Sequence, residues 1–110
     1  MKLPNPDRAV VDQTKLAQYC LNPLHHRGRH KARKFRSLLG FTANDAPKLR
    51  QLLLKAALEL EAQLGERDEF GQRYAIDFEI AGVSRNVLIR SAWIVRGNED
   101  FARLTSCYII

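Results

Sequence analysis

Residues 74–80 read Tyr-Ala-Ile-Asp-Phe-Glu-Ile, so large apolar side chains alternate with small or acidic ones. Successive side chains of a β-strand point to opposite faces, and this alternation therefore predicts a strand with one buried face. Further strands are predicted over 87–95 and 104–110, with turn sequences between the three. The C-terminal part of the chain is thus predicted to form an antiparallel meander.

Upstream of these strands the apolar residues recur at helical spacing. From Leu49 to Leu64 this period predicts a long amphipathic helix that Gly65 ends, and residues 66–71 are predicted to be a polar connector. Thr42 and Asp45, just before that helix, have the spacing of a capping box.

Two shorter helices are predicted nearer the N-terminus. Asp12 is a suitable N-cap for a helix to about Leu21. A second helix is predicted over residues 29–39, where Gly40 ends it. The fold class is therefore α+β: about three N-terminal helices followed by a three- to four-stranded antiparallel sheet, with helices covering one face.

The 110 residues are enough for a single domain spanning 1–110. No apolar run approaches the about 20 residues needed to span a bilayer, and the start lacks an apolar secretory core. A cytoplasmic location without a membrane partner is therefore expected. Cys20 and Cys107 have neither zinc-motif spacing nor a disulfide framework, and they are predicted to be free, buried thiols.

The net charge is concentrated in residues 22–43, which hold six Lys/Arg residues and no Asp or Glu. The other 88 residues carry 12 basic and 12 acidic side chains, which cancel. A focused cationic patch attracts polyanions, of which phosphate backbones are the commonest in a cell. The cations predicted to bind nucleic acid are Arg27, Arg29, Arg33 and Lys34. A solvated charged face is the alternative interpretation.

The same segment contains all three histidines: His25, His26 and His30. Imidazole exchanges protons near neutral pH, so His30 and His25 are candidate acid/base groups for phosphodiester cleavage. Gly28 and the helix N-terminus beside them favour a bound anion. No His-x-x-x-His spacing occurs, so neither a metal nor a cofactor is predicted.

Three residues of the predicted sheet are further nucleic-acid-binding candidates: Arg90, Arg96 and Thr105. The alternative for the arginines is an ion pair with a carboxylate such as Asp77 or Glu79. Asp77 and Glu79 occupy alternate positions of one strand, so they are also candidate ligands of Mg²⁺ in a metal-dependent nuclease. Such sites usually include a third carboxylate and a nearby lysine, which are missing here. Trp93 is predicted to be a core residue rather than a base-stacking platform.

Residues 21–35 resemble the signature of a small bacterial domain of unknown function, which occurs beside a small partner gene and at the tips of polymorphic toxins. The residues that carry the resemblance are Asn22, Pro23, His25, Gly28, His30, Lys31, Ala32 and Phe35. His26 stands where the pattern has proline. The segments Gly71–Tyr74, Arg90–Trp93 and Thr105–Tyr108 also fit, so the resemblance covers nearly the whole chain.

That domain is in turn similar to the barnase–EndoU–colicin–RelE group of toxin ribonucleases, an analogy at the level of the fold. The resemblance implies cleavage of RNA without a metal, by attack of the 2′-hydroxyl on its own phosphodiester. It implies that His30 or His25 transfers protons and that Lys31 stabilises the transition state, with Arg29 and one of the sheet arginines. A cognate antitoxin or immunity protein would be the partner.

Three hypotheses follow for the function. The first is a metal-independent ribonuclease toxin. The second is a non-catalytic RNA- or DNA-binding module, and the third is an interaction domain for an acidic partner protein. The sequence leaves a homodimer open.

Overall fold

A computed structural model describes all of residues 1–110. The fold has three helices followed by one four-stranded antiparallel sheet in the order β1-β2-β3-β4. The elements are α1 (Gln13–Lys15), which continues as a π-helical turn over Leu16–Cys20, α2 (Arg29–Leu39), α3 (Ala46–Glu59), β1 (Gln63–Asp68), β2 (Gly71–Ala81), β3 (Asn86–Arg96) and β4 (Arg103–Ile109). The predicted α+β class, with helices before strands, is confirmed.

The helix ends lie where local capping chemistry placed them. The Asp12 carboxylate accepts hydrogen bonds from the backbone N–H groups of Thr14 and Lys15 at the start of α1. Thr42 and Asp45 form the capping box that precedes α3. Gly40 ends α2 with a φ of 70°, a left-handed conformation that glycine adopts without steric cost.

The end of α3 and the polar connector were predicted wrongly. The helix ends at Glu59 rather than Gly65, and Leu60 is already extended. Residues 63–68 form β1, which pairs with β2 and places Leu64 opposite Tyr74. The helical spacing of the leucines is a local pattern. It carries no information about pairing with β2, which stabilises an extended conformation for residues 63–68.

The core lies between α3 and the inner face of the sheet. Leu49 and Leu53 of α3 are buried, as are Ile76 of β2 and Ile89 of β3. Trp93 is 1% exposed, which confirms its assignment to the core. Its indole N–H donates to the Ser91 hydroxyl at 2.9 Å, and that hydroxyl donates to the Ile76 carbonyl at 2.7 Å. Every polar atom of this buried network is therefore paired.

Helix α2 lies beside β4 and the π-helical turn, and it buries Ala32 and Phe35 as its sequence predicts. Its other faces carry the basic side chains. None of the helices is both long enough and apolar enough to traverse a bilayer.

Candidate nucleic-acid interface

The six cations of residues 22–43 have no carboxylate partner. The structure contains five ion pairs, whose cations are the N-terminus, Arg8, Arg73, Arg90 and Arg103. All five lie outside the basic segment. Because no carboxylate neutralises these charges, the segment keeps its full positive charge.

His25 is held in place by the loop that precedes α2. Its Nδ1 accepts hydrogen bonds from the backbone N–H groups of Arg27 and Gly28, at 3.1 and 3.0 Å. These bonds assign the tautomer in which Nε2 carries the proton. The ring edge also contacts Tyr19, with 4.6 Å between ring centroids. His25 therefore offers a hydrogen-bond donor at Nε2, while Nδ1 is occupied.

The loop that contains His25 and Gly28 packs closely against the end of the first helix. A Cβ placed on Gly28 would lie 2.4 Å from the Tyr19 carbonyl oxygen, so only glycine fits this approach. The Arg29 guanidinium closes the loop from the other side by donating to the His26 carbonyl at 3.1 Å. The histidine loop and the start of α2 thus form one ordered unit.

Lys31 lies between two aromatic rings and is half-buried. Its Nζ is 4.9 Å from the centroid of the Tyr108 ring and 6.0 Å from that of Tyr19. The two ring faces attract the ammonium group electrostatically but leave its formal charge intact. This contact joins α2 to the π-helical turn and to β4, and it places a cation next to the His25–Tyr19 contact.

His30 is exposed and makes no hydrogen bond within the protein. It lies on the solvent face of α2 with Arg33 and Lys34, which follow it by three and four residues. No hydrogen bond or ring contact joins His30 to His25, because His25 is turned toward Tyr19. The structure thus places His30 with the exposed cations, whereas His25 and Lys31 both lie beside the Tyr19 ring. Arg27 is exposed in the loop between the two groups.

His25 lines an open groove with a volume of about 650 Å³, and most of the residues around this groove are polar. It runs along the first helix, and its lining includes Lys15, Gln18, Tyr19, Asn22 and His25. Neither α2 nor the sheet contributes to it. His25 therefore lines this groove, whereas His30 does not.

Arg90 forms an ion pair with Asp77, which was the alternative to a role in nucleic-acid binding. Its guanidinium donates to both oxygens of Asp77, at 2.9 and 2.8 Å, and Asp77 in turn holds the pKa of Arg90 above its ordinary value. The hydrogen bonds from Arg90 lower the pKa of the Asp77 carboxyl group, against the effect of burial. Tyr108 is the register partner of Arg90 in β4. Arg90 and Lys31 are therefore both neighbours of Tyr108.

Arg96 and Thr105 lie elsewhere on the sheet. They line a second open groove of about 520 Å³, together with Phe70 and Asn98. Six residues of strand separate Arg96 from Arg90, which corresponds to about 20 Å. The Thr105 hydroxyl donates to the Ala92 carbonyl at 3.1 Å. The structure therefore does not bring these two candidates to the Lys31 site.

Residues 2–110 match a protein family described as a domain of unknown function, DUF6883. The chain belongs to this family. No curated protein and no solved structure matches it. The match agrees with the resemblance of the histidine motif to a domain of unknown function, and it assigns no activity.

Two residues beside Lys31, Tyr19 and Tyr108, were not among the site residues predicted from the sequence. Tyr108 did have a signal, since a tyrosine in the predicted strand 104–110 can donate a hydrogen bond to a phosphate, and it lies opposite Arg90 in the register of β3 and β4. Tyr19 gave no comparable signal, because its contacts with His25 and Lys31 depend on how α1 packs against α2. The two tyrosine rings are what hold Lys31 at the surface, so they define the shape of the site.

Proposed function

We propose that this DUF6883 domain binds RNA through α2 and the histidine loop and cleaves it without a metal, as the toxin component of a toxin–antitoxin pair. The observation that carries the proposal is the set of six cations without a carboxylate partner. An RNA backbone supplies regularly spaced negative charges to such a surface.

The geometry divides the roles between the candidate residues. Both ring nitrogens of His30 are free of protein hydrogen bonds, so this residue can exchange a proton with solvent-exposed RNA. In the reaction His30 would take the proton of the 2′-hydroxyl, whose oxygen attacks the adjacent phosphorus. The bond to the leaving oxygen breaks, that oxygen takes a proton from a solvent water molecule, and a cyclic phosphate remains. His25 would donate its Nε2–H to a phosphate oxygen, and Lys31 would stabilise the added negative charge.

The carboxylates support a mechanism that does not depend on a metal. Asp77 is engaged by the Arg90 guanidinium and Glu79 by the Asn86 side-chain amide, at 2.8 Å. Both belong to the sheet, and the segment 22–43 contains no Asp or Glu at all. Acid/base transesterification with imidazole and ammonium groups uses the residues that this segment does contain.

The toxin assignment rests on the resemblance of the histidine motif and on charge. A cognate antitoxin or immunity protein that covered α2 would need acidic side chains to pair with Arg33, Lys34 and their neighbours. Such a protein would compete with RNA for the same surface.

The test uses purified protein and structured RNA in the presence of EDTA. We expect cleavage by the parent chain, loss of cleavage in His30→Ala and Lys31→Ala, and full cleavage in Arg85→Ala, whose exposed side chain lies on the turn between β2 and β3. Purifying all variants identically controls for a contaminating nuclease. Equal cleavage by His30→Ala, or cleavage only with Mg²⁺, would contradict the proposed mechanism.

A second candidate is an RNA-binding module without catalysis, which is favoured by one observation. Both backbone hydrogen bonds to His25 must break before its Nδ1 can take up a proton, so only one histidine is free for proton transfer. Salt-sensitive RNA binding by the parent chain with no cleavage product would select this candidate over the first.

A further inference from the structure

The groove that His25 lines enters the proposed function through that residue alone, and the rest of its lining has no role there. The groove follows the first helix from Asp12, its N-cap, to Tyr19, which corresponds to about 10 Å of helix axis. Its volume of about 650 Å³ lies within the range of small-ligand sites, about 300–1,000 Å³. The groove is therefore long enough for a ligand larger than a single phosphate group.

Three side chains of this groove have polar groups without a partner in the protein. The Lys15 ammonium group takes part in none of the five ion pairs. Gln18 is exposed, and only its backbone carbonyl is engaged, by the Asn22 amide. The Nε2–H of His25 stays available because Nδ1 accepts from the backbone. A cation, an amide and an imidazole N–H are thus open to a ligand.

These three groups have the chemistry that a nucleotide requires. Lys15 precedes Gln18 by three residues, so the two side chains are neighbours on the helix surface. The His25 ring lies against Tyr19, the residue that follows Gln18. An ammonium group and an imidazole N–H bind phosphate oxygens, whereas a Gln amide both donates and accepts and so pairs with the edge of a base. The amide thus stands between two phosphate-binding groups along the groove.

The charges around the first helix favour this side of it for phosphate. Asp12 is the one carboxylate of the groove, and it is engaged as the N-cap by the backbone N–H groups of Thr14 and Lys15. A second open groove, of about 350 Å³, shares Thr14 and Gln18 with the first and also contains Gln13, but it has no charged side chain. Only the His25 side therefore combines a base-pairing amide with groups that bind phosphate.

We propose that this groove is a nucleotide-binding subsite, in which Gln18 hydrogen-bonds the base of an unpaired nucleotide while Lys15 and His25 bind the flanking phosphates. The subsite rests on the proposed function, since its ligand is RNA, and it restricts that RNA to a single strand. In an A-form duplex the major groove is too deep and narrow for side chains to read, and the Watson–Crick edges are already paired. Only a base outside a duplex can meet the amide.

The test measures binding to 2′-O-methyl oligonucleotides, which lack the attacking hydroxyl and stay intact whether or not the protein cleaves RNA. Fluorescence anisotropy compares a short labelled single strand with an abasic strand of equal length and charge. We expect the parent chain to bind the strand with bases about tenfold more tightly, because a bidentate contact from Gln to a base has this effect. Equal affinity for the two strands would overturn the subsite.

Gln18→Ala separates the base contact from general attraction to phosphate. This variant is expected to bind the strand with bases about tenfold more weakly and to keep the parent's affinity for the abasic strand and for a duplex. Lys15→Gln should weaken binding of both single strands equally, because it removes a phosphate contact. Gln13→Ala is the matched control, since this exposed amide belongs to the groove without charges. An equal loss in Gln13→Ala, or no loss in Gln18→Ala, would contradict the subsite.

The same measurements distinguish failure of the subsite from failure of the proposed function. Binding that depends on α2 but not on the bases overturns the subsite alone. Base-dependent binding that Gln18→Ala abolishes, with no cleavage of unmodified RNA, supports the subsite and overturns the catalytic role. Absence of binding to every strand overturns both.

Discussion

The backbone N–H of Gly28 donates a hydrogen bond to Nδ1 of His25, with 3.0 Å between the two nitrogen atoms. This bond fixes the tautomer of the imidazole and sets the entry of the chain into α2. The same glycine packs against the first helix, so the site depends on its lack of a side chain. The basic helix and the histidine loop are consequently held in one orientation.

Gly28→Ala is expected to destabilise the protein. The added methyl group would lie 2.4 Å from the Tyr19 carbonyl oxygen, a backbone atom that cannot move aside. Overpacking of this kind costs about 1–3 kcal/mol in the free energy of unfolding, measurable by urea denaturation. Gly97→Ala is the matched control, since no atom lies within 4 Å of its Cβ position. An unchanged midpoint for Gly28→Ala would contradict the close approach.

Ser91→Ala is expected to destabilise the protein, whereas Ser106→Ala is not. Removing the Ser91 hydroxyl leaves the buried Trp93 indole N–H without its acceptor and takes one donor from the Ile76 carbonyl, at a cost of about 1–3 kcal/mol. The Ser106 hydroxyl oxygen is buried and has no hydrogen-bond partner, so its removal is expected to be neutral or stabilising. Denaturant unfolding of both variants and the parent measures the difference, and equal losses in the two would refute the pairing argument.

The ion pairs of the sheet predict loss of stability in acid. Hydrogen bonds from arginines lower the pKa values of Asp68, Asp77 and Glu99 in the folded state. As the pH falls, these carboxylates therefore bind protons in the unfolded chain before they do so in the folded protein. Their contribution to the free energy of unfolding is complete above the pKa values of the unfolded chain, which lie near 4, and it is lost as the pH falls below them.

Asp77→Asn should make the free energy of unfolding depend less steeply on pH between about pH 5 and pH 3, because one such carboxylate is gone. Urea unfolding across this range measures the slope. Asp7→Asn, which alters a carboxylate without an ion pair, serves as control. An Asp77→Asn slope equal to that of the parent would mean that the Arg90 pair is not maintained in solution.

Lys34→Gln is expected to weaken RNA binding through charge alone. Lys34 is exposed on α2 and has no carboxylate partner, so its loss should reduce the salt dependence of binding by about one unit of log–log slope. Fluorescence anisotropy of a labelled single-stranded RNA over a series of salt concentrations gives this slope. Arg67→Gln removes the same charge from exposed β1, at the edge of the sheet opposite β4, and an equal effect there would assign binding to overall charge rather than to α2.

The sequence predicted those parts of the fold that depend on neighbouring residues. The N-cap at Asp12, the capping box at Thr42 and the helix end at Gly40 are interactions within a few residues, and all three lie where they were expected. The extent of α3 was predicted wrongly because the competing structure, pairing of β1 with β2, involves residues farther along the chain.

For the candidate site, the amino-acid sequence by itself determined which chemical groups are present. They form a segment rich in Lys, Arg and His with no carboxylate, on a helix anchored by Ala32 and Phe35. Tertiary structure alone decided which groups are neighbours. It placed Lys31 beside the rings of Tyr19 and Tyr108, set the His25 ring against that of Tyr19, and buried Cys20 and Cys107 in one core. Charge and periodicity are properties of the chain, whereas contacts between its first helix and its last strand exist only once the core has packed.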